Sequence, residues 1–357
     1  MSLRGQFLLK RNLRNRFAFS RVWRFNLWVP SEFAIDLKHV TKSYKGKVHA
    51  LRGIDMRVMR GEVFGLLGPN GAGKSTLVKI MMTVVRATQC EGTVLDAPVG
   101  NKATLARVGY LPENHRFPRY LTGRQILHFF GALAKVDRRT CRKKANELLD
   151  IVGMTSTADR LVSTYSKGMA QRIGLAQAMI NDPELILLDE PTDGVDPVGR
   201  RDIRDVLHRL RDQKKTIFIN SHQLSELDAL CDRVAILIGG EVRRQGTVAD
   251  LARAGERYEI EIAPTTALED EQRMRAATNS LMSLSSAVGE PPMTVEISPP
   301  VLRLGTIDPA AIQSVLDSLR SSGCIIRRVQ AVRPSLEDLF FAAVGQTPSP
   351  VSARGVA

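Results

Sequence analysis

Lys74 and Ser75 are the residues with the clearest chemistry in the chain. They lie in the run Gly68-Pro69-Asn70-Gly71-Ala72-Gly73-Lys74-Ser75-Thr76. An apolar stretch, Val63 to Leu67, precedes the run and reads as a buried strand, and Leu77 to Met82 follows as the start of a helix. Strand, Gly-rich turn and helix is the order a phosphate-binding loop needs. Glycines let backbone N–H groups converge on phosphate oxygens with no Cβ in the way. The helix N-terminus adds its partial positive charge. Lys74 can then bring a full charge to the β- and γ-phosphates, and the Ser75 hydroxyl can ligand Mg²⁺.

Nucleotide hydrolysis also needs carboxylates. Leu185-Ile186-Leu187-Leu188 reads as a central parallel strand, apolar on both faces, and it ends in Asp189-Glu190. Ligands of open α/β sheets bind at such C-terminal strand ends. Asp189 can hold the metal that Ser75 also touches, and Glu190 can polarise the attacking water. A solvated acidic strand end would explain either residue alone but not the pair downstream of a phosphate loop. Thr216 to Asn220 reads as another buried strand, ending in Ser221-His222. If the two strands are neighbours, His222 stands beside Glu190 and within reach of a γ-phosphate.

Other elements must position these groups. Strand patterns begin at Phe33 and again at Leu51. Tyr44 falls in a turn-like, Lys-rich segment between them and could stack on a base, although a tyrosine packed at a sheet edge fits equally well. Residues 103–180 read mainly as helices: Ile126 to Val136, Thr140 to Val152 and Met169 to Ile180. Two irregular stretches interrupt them. Gly109 to Asn114 carries Glu113 after a proline, and Ser163 to Met169 ends at a helix start. Ser166 and Lys167 there form a second potential anion site, for which an ordinary N-cap is the commoner explanation. A charged surface helix spans Val198 to Gln213, and Val234 to Ile238 reads as the last strand of this region.

Composition bounds the rest. The chain has 357 residues, enough for two domains, with 25% charged and 43% hydrophobic residues. Half of its net charge of +14 lies in residues 1–30, which contain seven Arg and Lys and no acid. The remainder is only moderately basic, which is slight support for a nucleic-acid partner and equally suits an anionic membrane surface. The four cysteines are scattered, so neither a zinc site nor a disulfide framework is indicated. No apolar run approaches the ~20 residues needed to span a bilayer. Residues 1–32 read as a basic extension with six aromatics, and residues 346–357 as a disordered Pro/Ser/Ala tail.

After Gly255 the motifs cease. Strands are expected over Arg257 to Ala263, Met293 to Ser298, Val301 to Leu304 and Cys324 to Val332, with helices over Ala267 to Leu284 and Ile307 to Ser322. That β-α-β-β-α-β order is ferredoxin-like. A short helix from Ser335 to Val344 closes it, with Ser335 and Asp338 spaced for a capping box.

Residues 33–254 resemble the nucleotide-binding domain of ABC (ATP-binding cassette) ATPases. The phosphate loop is similar to Walker A, and Leu185 to Asp189 to Walker B, with Glu190 in the catalytic-glutamate place. Ser166-Lys167-Gly168-Met169 resembles the signature loop, Gly194-Val195-Asp196 the D-loop, His222 the switch histidine and Tyr44 the base-stacking aromatic. The signature has Lys167 for a glycine and Met169 for the usual glutamine, the Q-loop glutamine appears as Glu113, and Val195 replaces the usual D-loop leucine. The resemblance implies a P-loop NTPase cassette with a RecA-like core and helical subdomain over 33–254, followed by an α+β accessory domain over 255–345. It implies ATP and Mg²⁺ as cofactors, with Ser75, Asp189 and Glu113 at the metal and Glu190, His222 and Lys74 in catalysis. It also implies a head-to-tail dimer in which Ser166, Lys167 and Gly168 meet the partner's nucleotide. A separate permease would hold the chain peripherally at the cytoplasmic face of the cell membrane, with no nucleic acid expected. The Tyr-Ser-Lys-Gly-Met form, Glu113 and the segment Pro334 to Phe340 resemble bacterial ABC-2-type exporter ATPases. The alternative is a soluble ABC ATPase acting on ribosomes or nucleic acid. Such proteins usually carry two cassettes or a long coiled coil, and this chain shows one cassette and no sustained heptads.

Overall fold

The computed structural model describes residues 31–46, 48–253, 256–263, 295–333 and 335–345. The helix expected over Ala267 to Leu284, the start of the strand at Met293, the tail 346–357 and all but the end of the basic extension lie outside these residues.

The chain begins with an antiparallel hairpin, β1 (Phe33–Tyr44) and β2 (Val48–Met59). Tyr44 is thus the last residue of a strand, not part of a turn-like segment. Its side chain needs no turn chemistry, because the reversal is made at Lys45-Gly46, with Gly46 at φ 88°. Next come β3 (Val63–Leu67) and α1 (Lys74–Met81), then β4 (Gln89–Val94) and the two-residue β5 (Ala97–Pro98). Strand β6 (Val108–Leu111) occupies the start of a stretch whose sequence reads as irregular. Three helices follow, α2 (Gly123–Leu133), α3 (Arg138–Ile151) and α4 (Lys167–Ala178), as their apolar spacing predicts. Then come β7 (Leu185–Asp189), α5 (Pro197–Asp212), β8 (Thr216–Ser221), α6 (Leu224–Leu230) and β9 (Arg233–Ile238). Strand β9 is not the last: Gly239-Gly240, both at positive φ, turn the chain into an antiparallel β10 (Glu241–Thr247), followed by α7 (Val248–Arg253).

The central sheet has the order β10-β9-β3-β8-β7-β6, parallel except for β10. All residues of β3, β7 and β8 are buried, as parallel strands covered on both faces must be. Alternate residues feed two cores. Phe64, Leu187 and Phe218 pack against the antiparallel sheet β2-β1-β4-β5. Val63, Ile186, Leu188 and Ile217 face the helices on the other side. The Phe64 and Phe218 rings stack at 5.8 Å between centroids.

Strands β11 (Arg257–Ile262), β12 (Val295–Ser298), β13 (Val301–Leu304) and β14 (Ile326–Val332) form a second antiparallel sheet, with α8 (Pro309–Ser321) between β13 and β14. Its order, β12-β13-β11-β14, is the spatial order a ferredoxin-like chain adopts. Ile260, Leu302, Val315 and Leu319 fill a separate core beneath it.

The final helix, α9 (Leu336–Val344), returns to the central core. Ser335 and Asp338 make the capping box the spacing predicts: the Asp338 N–H donates to Ser335 Oγ at 3.2 Å and the Ser335 N–H to Asp338 Oδ2 at 2.9 Å. Leu336 and Leu339 are buried in the same cluster as Leu227 of α6 and Leu251 of α7. Leu339→Ala should therefore cost about 2–5 kcal/mol, the range for a core leucine. The drop in guanidinium midpoint measures it, and a midpoint equal to the parent's would mean that α9 is not seated.

Candidate nucleotide-binding site

The parallel order β6-β7-β8-β3 brings four strand ends to one edge. The loop after β3 carries residues 68–73, β7 ends at Asp189, and β8 leads into His222. The turn after β6 carries Glu113. Together they line an open pocket of about 460 Å³ that includes Pro69 to Thr76, Glu113, Asp189, Glu190 and His222. Glu190 and His222, which the sequence could pair only if their strands were neighbours, are adjacent: β7 and β8 are hydrogen-bonded in register, and His222 Nδ1 lies 2.8 Å from Glu190 Oε2.

The loop runs into α1 without a side-chain cap. Gly73, the N-cap of α1, has φ 107° and provides no side-chain cap, so the first N–H groups of the helix have no capping partner from it. An alanine Cβ there would meet the Ala50 carbonyl oxygen at 2.5 Å. Lys74 is 7% exposed, and its Nζ donates to the carbonyl oxygens of Gly68 at 2.6 Å and Pro69 at 3.3 Å. Burial lowers the pKa of its ammonium, and the carboxylates of Glu190, Asp189 and Glu113 pull it back up.

Asp189 is buried and its Oδ1 accepts from Asn220 Nδ2. Burial pushes its carboxyl above the ordinary value. The Asn220 bond and Lys74 oppose that rise, and the charges of Glu113 and Glu190 add to it. Four carboxylates, those of Glu113, Asp189, Glu190 and Asp193, thus share a pocket with one lysine, a surplus of negative charge that suits a divalent cation. Among the described residues no group of three His, Cys, Asp or Glu forms a ready-made metal cage. A hydroxyl, one or two carboxylates and ligand phosphates are what Mg²⁺ takes, and Ser75, Asp189 and Glu113 line this pocket with groups of those kinds.

Glu190 itself holds a left-handed backbone, φ 51°, and is fixed by its N–H donating to the Asn220 carbonyl at 2.8 Å. Strain at a non-glycine residue is characteristic of functional positions. Just beyond, Thr192 Oγ1 donates to the buried Glu226 of α6, tying the next loop down.

The remaining expected residues lie outside this pocket. Ser166 caps α4, its Oγ accepting from the Met169 N–H at 3.2 Å, so within one chain the N-cap explanation holds. Lys167 Nζ lies 3.1 Å from Oδ2 of Asp193, which itself lines the pocket. Gly168 packs close to Val195, where a Cβ would meet Cγ1 at 3.2 Å. Tyr44 is half exposed at the end of β1, with Lys42 Nζ 4.9 Å from its ring centroid, and is not among the residues lining the pocket. Sequence reasoning missed Asn220 and Asp193. Asn220 carried a signal: a lone amide ending an apolar strand one place before Ser221-His222.

Comparison with known proteins agrees with this geometry. The ABC transporter family model matches residues 51–193. An ABC transporter ATP-binding protein of Synechocystis sp. is 35% identical over 335 residues, covering 93% of this chain and 85% of that one. The Nod factor export ATP-binding protein I of Rhizobium meliloti is 33% identical, covering 89% and 90%. An ATP-binding cassette solved as a dimer in a post-hydrolysis state with ADP and phosphate superposes with a TM-score of 0.54 at 26% identity, over 60% of this chain and 98% of that one. The order of motifs, the P-loop fold and the breadth of these matches place the chain in the family of ABC transporter ATP-binding proteins, the ATPases that power transport.

Proposed function

We propose that this ATPase drives an exporter, energising a separate membrane-spanning permease through ATP-dependent closure of a head-to-tail dimer. The observation that carries the reading is the convergence of Lys74, Asp189, Glu190 and His222 on one pocket, with Ser166 to Gly168 left outside it. A single chain leaves the γ-phosphate side of the pocket open, and a second chain's α4 terminus would close it. The relative solved as a dimer supports that arrangement, and the Nod factor export protein supports the direction of transport.

In this reading Lys74 and the 68–76 backbone bind the phosphates, Tyr44 stacks on the base, and Ser166, Lys167 and Gly168 reach the partner's nucleotide. Ser75, Asp189 and Glu113 would hold Mg²⁺, which when bound neutralises phosphate charge. Glu190 orients and polarises the attacking water, and His222, held against it, contacts the γ-phosphate. The accessory domain is taken as residues 255–345 after a cassette of 33–254; the core of Ile260, Leu302, Val315 and Leu319 supports the division, while α9, at the end of that range, packs in the cassette's core.

The permease would dock at a groove lined by Pro112, Asn114, Phe117, Phe130 and Leu133, next to Glu113, so that docking and nucleotide share one turn. Among the described residues no helix is long and apolar enough to cross a membrane, and membrane association would come through this contact. Affinity purification from detergent-solubilised native membranes tests the reading. A stoichiometric multi-span protein should co-purify. Recovery only with ribosomes or nucleic acid, from the soluble fraction, would overturn it.

A further inference from the structure

Residues 114–146 contain nine lysines and arginines and one acid, Asp137. Arg124, Lys143 and Lys144 are paired with Asp159, Glu147 and Asp182. Arg116, Arg119, Lys135, Arg138, Arg139 and Arg142 are all exposed, and none makes an ion pair among the described residues. Two of these are placed against the interest of the fold. Arg138 and Arg139 open α3, where the partial positive charge of the free N–H groups repels cations and only the N-cap Asp137 compensates. Helix stability therefore does not explain them.

Helices α2 and α3 meet where Arg124 Nη1 donates to Asn146 Oδ1 and His128 Nδ1 lies 3.7 Å from Cys141 Sγ. Burial and then the charges of Arg124, Arg142 and Arg138 hold the His128 imidazole below its ordinary value, in keeping with cations near that seam. Elsewhere on its surface α2 exposes Phe129 and Leu133, and the segment before it exposes Tyr120, 77% accessible. Leu133 also lines the groove next to Arg116.

We propose that this outer face of α2 and α3 lies on the anionic headgroup layer of the bilayer, beside the permease. The inference rests on the reading that the groove seats a membrane partner, because Leu133 belongs to both features. Arginines at a headgroup surface are held by its negative potential, and aromatic and leucine side chains at the same level enter the interface. A nucleic acid could use the same cations, but the working partner of this family lies in the membrane, and a face tipped with apolar side chains suits a lipid boundary better than a phosphate backbone.

The test is sedimentation of the full chain with vesicles of mixed phosphatidylglycerol and phosphatidylcholine, against pure phosphatidylcholine vesicles and oligouridylate. The parent should partition onto the anionic vesicles in a salt-sensitive way. The triple variant Arg138→Gln, Arg139→Gln, Arg142→Gln should lose about tenfold or more of that binding, with ATP turnover unchanged. Arg142→Glu alone should lower binding to a lesser degree and serves if the triple variant does not fold. Equal binding by parent and variants, equal binding to neutral vesicles, or tighter binding to oligouridylate than to anionic vesicles would each overturn the proposal. The vesicles contain no permease, so such a failure leaves the transporter reading intact, and a failed permease co-purification leaves the vesicle result standing.

Discussion

Glu190→Gln should retain ATP binding and lose turnover by about 10²–10⁴-fold, the usual contribution of a positioned general base. The amide keeps the shape of the side chain, so the contact with His222 Nδ1, now 2.8 Å, survives as a hydrogen bond. What is lost is the negative oxygen that polarises water. The substitution also removes one of the carboxylates crowding Asp189, which is why nucleotide affinity should not fall. ATP titration followed by fluorescence and a phosphate-release assay read the two quantities separately. The variant should also accumulate as an ATP-bound dimer in size-exclusion chromatography, since closure would no longer be ended by hydrolysis. Turnover within a few-fold of the parent would remove Glu190 from the chemistry.

Lys74→Ala should fail at the earlier step. The ammonium now bonded to the Gly68 and Pro69 carbonyls can turn to phosphate oxygens. A charge-assisted hydrogen bond of that kind is worth about 1.5–3 kcal/mol, which predicts a Kd for ATP raised by about 10- to 150-fold. The carboxylates of Glu113, Asp189 and Glu190 would also face the triphosphate with no lysine between them, which pushes the loss toward the upper figure. Lys74→Arg should not restore binding, because a planar fork does not fit the space of a point charge held against two carbonyls. ATP affinity equal to the parent's would show that the backbone cradle suffices alone.

The candidate site's groups are legible because the chemistry they suggest is local. A Gly-rich turn between strand and helix, and carboxylates at the end of an apolar strand, announce themselves within ten residues. Whether Glu190 meets His222 is not local. It depends on β7 lying beside β8, which no residue in either strand specifies. The missed strands share another cause. Val108 to Leu111 is four residues long and contains a glycine and a tyrosine, so it carries no clear period. It is a strand because β7 offers it a parallel partner and because Gly109 has no Cβ, which would lie 2.0 Å from the Ala178 carbonyl. Strand β4, with Gln89, Glu91 and Gly92, is likewise made by β1 rather than by its own propensity. Tyr44 reads as turn for the opposite reason: its flanks are Lys-rich, and the exposed tip of the β1–β2 hairpin tolerates them.

The seating of α9 sets an order of events at the ribosome. Domains generally fold in the order they are made, N-terminal first. Here the cluster that begins at Val63 also contains Leu336 and Leu339. The nascent cassette can assemble its sheet and most of its helices once α7 has emerged, but its core keeps an open berth while the whole accessory domain is synthesised. Until then the apolar surfaces of α6 and α7 are available to any other hydrophobic segment. The accessory sheet, with its own small core, has time to fold in that interval, and the last helix then locks a structure whose two parts were completed in the reverse of their sequence order.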